Sequence, residues 1–126
     1  MMISLDTSEL KKIRIRLDAA GQTKRMEAVA YADAAFAKLG KLLAGKKINA
    51  LGVVAGPGAF SATRTGVALI NALAYGLGVP VVALTREQFD SPAPLPAGGH
   101  PPVAVVYGSL PNITIKKKLF GKLGAA

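Results

Sequence analysis

INALGVVAGPGAFSATRTGVALINALAYGLGVPVVAL, residues 48–84, decides the fold. Residues 48–55 are almost continuously apolar, as a strand buried on both faces reads. Gly56-Pro57-Gly58 turns the chain. Residues 61–77 then predict a helix that is apolar nearly all round: Val67, Leu69, Ile70, Leu73, Tyr75 and Leu77 alternate with Gly66, Ala68, Ala72, Ala74 and Gly76. Such a helix must be covered on most sides, and its small residues let another helix approach closely. Gly78-Val79-Pro80 ends it, and PVVAL, 80–84, predicts a second buried strand. The unit is strand, helix, strand.

Upstream, residues 2–6 predict a short strand and Thr7–Leu10 a turn. KKIRIRLDA, 11–19, alternates strictly. Lys12, Arg14 and Arg16 share one face and Ile13, Ile15 and Leu17 the other. The expectation is a half-buried strand with a wet basic face, forming a hairpin with the first strand. Residues 23–30 read as strand or helix; a third antiparallel strand would suit the hairpin. The alanine-rich run 32–44 has high helix propensity, with Phe36, Leu39, Gly40 and Leu43 at helical spacing and Gly45 as its stop. SPAPLPAGGHPP, 91–102, predicts a proline- and glycine-rich linker. VAVVYG and NITIKK flank a turn, so 103–126 predicts a small hairpin and a basic tail. The order implies an α/β fold: a mixed sheet of about five strands with helices, plus a C-terminal β-hairpin.

Composition narrows the function. The 126 residues suffice for one domain with a core, and 51% are hydrophobic. Cysteine is absent, which excludes disulfides and thiolate chemistry. One histidine and seven carboxylates make a dense metal site an unsuitable reading. The opening MMISLDTSEL carries acids where a signal peptide needs bases, and no apolar run spans a bilayer, so the expectation is a cytoplasmic protein without a membrane partner. The net charge of +9 is dispersed except at Lys116–Lys118. No aromatics interleave with it, so it reads as solvated faces, with RNA contact as the alternative.

The glycine turn fits no general phosphate motif. In a P-loop a glycine-lysine pair follows four residues after the first glycine; here Ser61 follows Gly56 at that distance and no lysine comes next. In a dinucleotide fingerprint the third glycine would also fall at Ser61. A strand, a glycine turn and a helix N-terminus still favour an anion. The plainer reading is a tight turn with Ser61 capping the helix. Arg64 opposes the dipole of that helix and so needs a partner, either internal (Asp6 or Asp18) or external. Asp6-Thr7-Ser8 offers a carboxylate and two hydroxyls to a phosphate or metal, or else a simple side-chain-closed turn. Ser61 and Thr63 lack an evident histidine base, and His100 lies in the linker.

Together these pieces resemble the TsaB (YeaZ) family, whose members help make threonylcarbamoyladenosine on tRNA. Asp6-Thr7-Ser8 matches the family's I-D-T-S opening. Residues 48–85 are similar to its central block, patterned near G-P-G-S-F-T-G-x-R-x-G. Gly56, Pro57, Gly58, Phe60, Arg64 and Gly66 match; Ala59, Ser61 and Ala62 depart, and Tyr107-Gly108-Ser109 stands where the family often has Asp-Ala-Arg.

The resemblance implies a ribonuclease H-like lobe of the actin-like ATPase superfamily over 1–90, a linker over 91–102 and a shortened second lobe from 103. It implies a non-catalytic subunit without its own cofactor or metal. The partner would be the TsaD catalytic subunit, which carries ATP and metal, or a second copy; tRNA is met through the complex. The interface would use Phe36, Gly40, Leu43, Gly66, Ile70, Ala72, Leu73 and Ala74, with Arg64 anchoring the GPG loop. Two alternatives remain: a single-lobe nucleotide enzyme (an ATPase or acyl transferase) using Asp6 and the GPG loop, or a basic tRNA-binding module using Lys12, Arg14, Arg16 and the C-terminal lysines.

Overall fold

The computed structural model describes residues 1–105. The strands are β1 (Met2–Asp6), β2 (Ile13–Ala19), β3 (Gln22–Ala28), β4 (Ala50–Val54) and β5 (Val81–Leu84). A 3-10 turn, Ala32–Ala34, leads into helix α1 (Ala35–Leu43). Helix α2 spans Phe60–Leu77, and a short helix α3 spans Arg86–Asp90. One five-stranded sheet runs in the order β3-β2-β1-β4-β5. The β1–β2 and β2–β3 pairs are antiparallel; β1–β4 and β4–β5 are parallel. The α/β class and the mixed sheet expected from the sequence are both present, and the open segment 23–30 takes the strand form over most of its length.

Period-two alternation puts Ile3 and Leu5, Ile13 and Ile15, and Leu51 and Val53 on one face of the sheet. There they meet Ala35 and Leu39 of α1 and Val67, Ile70 and Ala74 of α2 in the main core. Gly45 and Gly78 stand at positive φ just past the two helices, as helix stops require. A smaller cluster on the opposite face joins Val54, Leu84 and Phe89, with Val82 and Leu95 packed on it.

That second face corrects the sequence reading of β2. The basic side of the strand is not wet. Arg16 is fully buried and Arg14 largely so, because α3 and the residues after it lie across them. Helix α3 was not expected. Its signal is Thr85–Gln88, where the Thr85 side chain accepts from the Gln88 N–H and the Gln88 side chain accepts from the Thr85 N–H, a capping box.

Residues 91–105 form no further helix or strand but are pinned to the sheet and to α2. Gly99 exchanges two backbone hydrogen bonds of 2.9 Å with Val81 at the β5 edge. The Asn71 side chain donates to the Val103 carbonyl and accepts from its N–H. The hairpin expected over 103–126 lies outside the described residues apart from 103–105, which are not strand; the basic tail lies wholly outside them.

Candidate functional site

Two sequence signals about fifty residues apart meet at the top of β1 and β4. Asp6 ends β1, and its buried carboxylate is fully occupied. One oxygen accepts from the Ser8 N–H at 2.8 Å and the Ser8 hydroxyl at 2.5 Å. The other accepts from Arg14 Nε at 2.9 Å and Nη2 at 2.5 Å. Arg14 also donates to Asp90 on α3 at 2.6 Å. Burial disfavours the charged guanidinium, but its bonds to Asp6 and Asp90 outweigh this and raise the Arg14 pKa above its ordinary value. Asp6 is therefore a structural carboxylate, ion-paired and closing its own turn.

Thr7 and Ser8 are buried and face the glycine loop. The Thr7 hydroxyl donates to the Ala62 carbonyl at 2.7 Å, and the Ser8 carbonyl accepts from the Ala59 N–H at 2.7 Å. Gly56 has φ of +122°, a backbone that side-chain-bearing residues avoid. A Cβ on Gly58 would lie 2.6 Å from the Ser8 carbonyl oxygen. The GPG loop is thus the seat on which the Asp6-Thr7-Ser8 turn docks, and Pro57 lies on its exposed side.

Ser61 does not cap α2. The N-cap is Ala59, with no side-chain cap, and Ser61 is exposed. The internal partners proposed for Arg64 are taken: Asp6 by Arg14, and Asp18 by Arg16 at 3.0 Å. The Arg64 guanidinium lies instead over the ring of Phe60, 5.0 Å from its centre. Thr63 is buried without a partner for its hydroxyl. His100 lines a hollow with Tyr75, near the C-terminal end of α2 and away from the glycine loop at its start. Among the described residues no three metal-ligating side chains cluster, and no helix is long and apolar enough to cross a membrane.

The eight helix positions separate into two sets. Gly66, Ile70 and Ala74 are buried against the sheet, which corrects their assignment to a docking surface. They are small or inward so that α2 can lie close to β1 and β4. Phe36 is 67% exposed, and Gly40 and Ala72 are exposed; Leu43 and Leu73 are half-buried. Tyr75, at 74%, and Leu77 are exposed apolar residues of the same helical layer that the sequence reading left out of the interface.

Near the hairpin turn, Glu9 pairs with Lys12 at 3.1 Å and also with Arg86. Its pKa is held below the ordinary 4.5, first by the hydrogen bond from Lys12 and, against some desolvation, by the charges of Lys12 and Arg86. A carboxylate with a depressed folded pKa stabilises the fold above its unfolded pKa, and that share is lost as pH falls through the folded value. Urea midpoints taken between about pH 5 and about pH 3 should therefore fall less steeply for Glu9→Gln than for the parent. Equal slopes would show that the pair carries no stability.

The architecture defines an α/β protein whose antiparallel hairpin strands continue into parallel strands, with a glycine loop launching the longest helix. No family model and no curated relative matches the sequence. Solved structures do match. YeaZ from Pseudomonas aeruginosa aligns over 67% of this chain and 42% of its own, at 26% identity and a TM-score of 0.58. An uncharacterised protein with similarity to peptidase YEAZ from Pseudomonas aeruginosa aligns over 73% of this chain and 49% of its own, at 25% identity and a TM-score of 0.60. The chain therefore resembles the YeaZ (TsaB) family in structure. It spans less than half the length of either structure.

Proposed function

We propose that this chain is an accessory, non-catalytic protein of tRNA threonylcarbamoyladenosine formation, acting in the cytoplasm by pairing the outer surfaces of α1 and α2 with a TsaD-like catalytic subunit or with a second copy. The reading takes residues 1–90 as a ribonuclease H-like lobe of the actin-like ATPase class, 91–102 as a linker and 103 onward as the start of a second lobe. The YeaZ likeness supports the theme of tRNA modification.

The observation that carries the proposal is the outer helical surface itself. Phe36, Tyr75 and Leu77 are large apolar groups left in water beside the open positions Gly40 and Ala72. Exposed apolar surface of this kind is the material of a protein interface. The nucleotide-enzyme alternative loses its carboxylate, since Asp6 already accepts four hydrogen bonds from Ser8 and Arg14. The RNA-module alternative loses Arg14 and Arg16 to internal partners.

Ala72→Glu places an unpaired charge on the outer surface of α2. It should weaken retention of a co-expressed TsaD-like subunit by about a hundredfold while the circular dichroism spectrum is unchanged. Phe36→Glu on α1 should do the same. If both variants hold the subunit as the parent does, the proposal is wrong.

A further inference from the structure

The two edges of the sheet differ. The β5 edge is bridged by Gly99. The β3 edge has no neighbour among the described residues, and Gln22–Glu27 are all exposed. An edge of this kind offers unpaired backbone N–H and C=O groups to any strand that can lie beside it. Next to it lies a groove of about 480 Å³ between the hairpin and α1. Ile13, Ile15 and Met26 contribute apolar surface from the sheet, and Ala37 and Leu42 from the helix.

Lys38 and Lys41 also line this groove. Lys24 lies on the same face of β3 as Met26, opposite Leu17 in the register. Among the described residues none of these three lysines forms an ion pair. The one acid in the groove's lining, Glu27, is paired with Lys12 at 3.3 Å. The groove therefore joins three features: an open strand edge, an apolar lining and uncompensated positive charge.

We infer that the β3 edge and its groove bind an extended acidic segment of a partner protein, which adds to the sheet as a sixth strand. Every second side chain of that segment points to the groove side, where its apolar members enter the groove and its carboxylates meet Lys24, Lys38 and Lys41. Charge selects this occupant over a second copy. The chain carries +9, and five of its seven carboxylates are already in internal ion pairs. Two β3 edges brought together would oppose Lys24 and Arg25 to their like. The lining selects against RNA, because its apolar groups are aliphatic and offer bases no stacking surface. The groove uses Ala37, Lys38, Lys41 and Leu42 of α1, whereas the pairing proposed above uses Phe36, Gly40 and Leu43 of that helix, so variants at the two sets tell the two apart.

The test uses the full chain and a fluorescent peptide about eight residues long, a length matching β3, in which Val and Glu take turns at every second position and Thr fills the others. Anisotropy should show salt-sensitive binding, with amide shifts confined to β3 and α1. The double variant Lys38→Glu, Lys41→Glu should weaken binding by about tenfold or more with its fold intact. Methylating alternate backbone nitrogens of the peptide should abolish binding. Absence of binding overturns the inference. So does equal binding of the methylated peptide, or of a version with Lys in place of Glu. Displacement by a short oligouridylate would assign the surface to RNA, and concentration-dependent dimerisation lost in Arg25→Glu would assign it to a second copy; either result also overturns the inference.

Discussion

Arg16→Met is expected to lower unfolding free energy by about 3–5 kcal/mol, the range for breaking a buried ion pair from one side. The guanidinium of Arg16 is fully buried. It donates to the carbonyls of Gln88 at 3.1 Å, Phe89 at 3.0 Å, Ser91 at 2.6 Å and Ala93 at 3.1 Å. Its Nε also reaches the Asp18 carboxylate at 3.0 Å. These carbonyls lie at and beyond the C-terminal end of α3, where helical carbonyls lack helical partners and a cation is favoured. Met matches the length of the stem but donates nothing, so it leaves carbonyl acceptors buried and Asp18 with only the Thr23 hydroxyl. Arg16→Lys keeps the charge but loses the planar fork, and it should fall between parent and Met. Urea denaturation gives the magnitude. Hydrogen exchange at residues 86–93 gives the location, because those amides should open before the sheet does. A loss below about 1 kcal/mol for Arg16→Met would mean that water replaces the guanidinium and that this face is not sealed.

The Arg16 cluster also marks where the sequence stopped being legible. Strict alternation in IRIRLDA fixed which residues share a face, and β2 has that pattern. It did not say whether the face is covered. The cover comes from α3 and from carbonyls more than seventy positions away, in a stretch whose prolines and glycines read as a loop. A helix of five residues with one buried apolar side chain, Phe89, leaves little periodic signal. Only the Thr85–Gln88 capping box announced it. The segments 48–55, 61–77 and 80–84 were legible because their length and apolar density admit one structure each. The docking of Asp6-Thr7-Ser8 on the glycine loop was not, since nothing local links residue 7 to residue 62.

The helix interface was half legible for a related reason. An all-apolar helix says that both sides will be covered but not which side faces the sheet. Gly66, Ile70 and Ala74 look interchangeable with Ala68, Leu69 and Ala72 on a helical wheel. The burial divides them: the first three pack inward, whereas Ala68 and Ala72 are exposed and Leu69 is half-buried. On the inward side α2 comes so close to β1 that Gly66 lies directly against Thr7, with no room for a Cβ.

That contact gives the second large effect, and helix propensity alone has its sign wrong. Replacing an interior helical glycine with alanine ordinarily stabilises by about 1 kcal/mol. Gly66→Ala is expected instead to destabilise by about 1–3 kcal/mol, the range for overpacking a close-packed core. Its Cβ would sit well inside van der Waals contact with the Thr7 hydroxyl oxygen and 3.3 Å from the Thr7 Cβ. Thr7 cannot swing aside cheaply. It is fully buried, its branched side chain is stiff, and its hydroxyl holds the Ala62 carbonyl one turn earlier in the same helix. Relief therefore requires α2 to lift from β1, which loosens the seat of the Asp6-Thr7-Ser8 turn. The rescue is specific. Thr7→Ala removes the obstructing oxygen and methyl, so the double variant should recover most of the Gly66→Ala loss, with a coupling of about 1 kcal/mol or more between the two sites. Gly76→Ala, near the other end of the helix, is the control: nothing lies within 4 Å of its would-be Cβ, and it should be neutral or stabilising. If Gly66→Ala stabilises as Gly76→Ala does, then Thr7 does not set the position of α2, and the two sequence motifs are neighbours without being coupled.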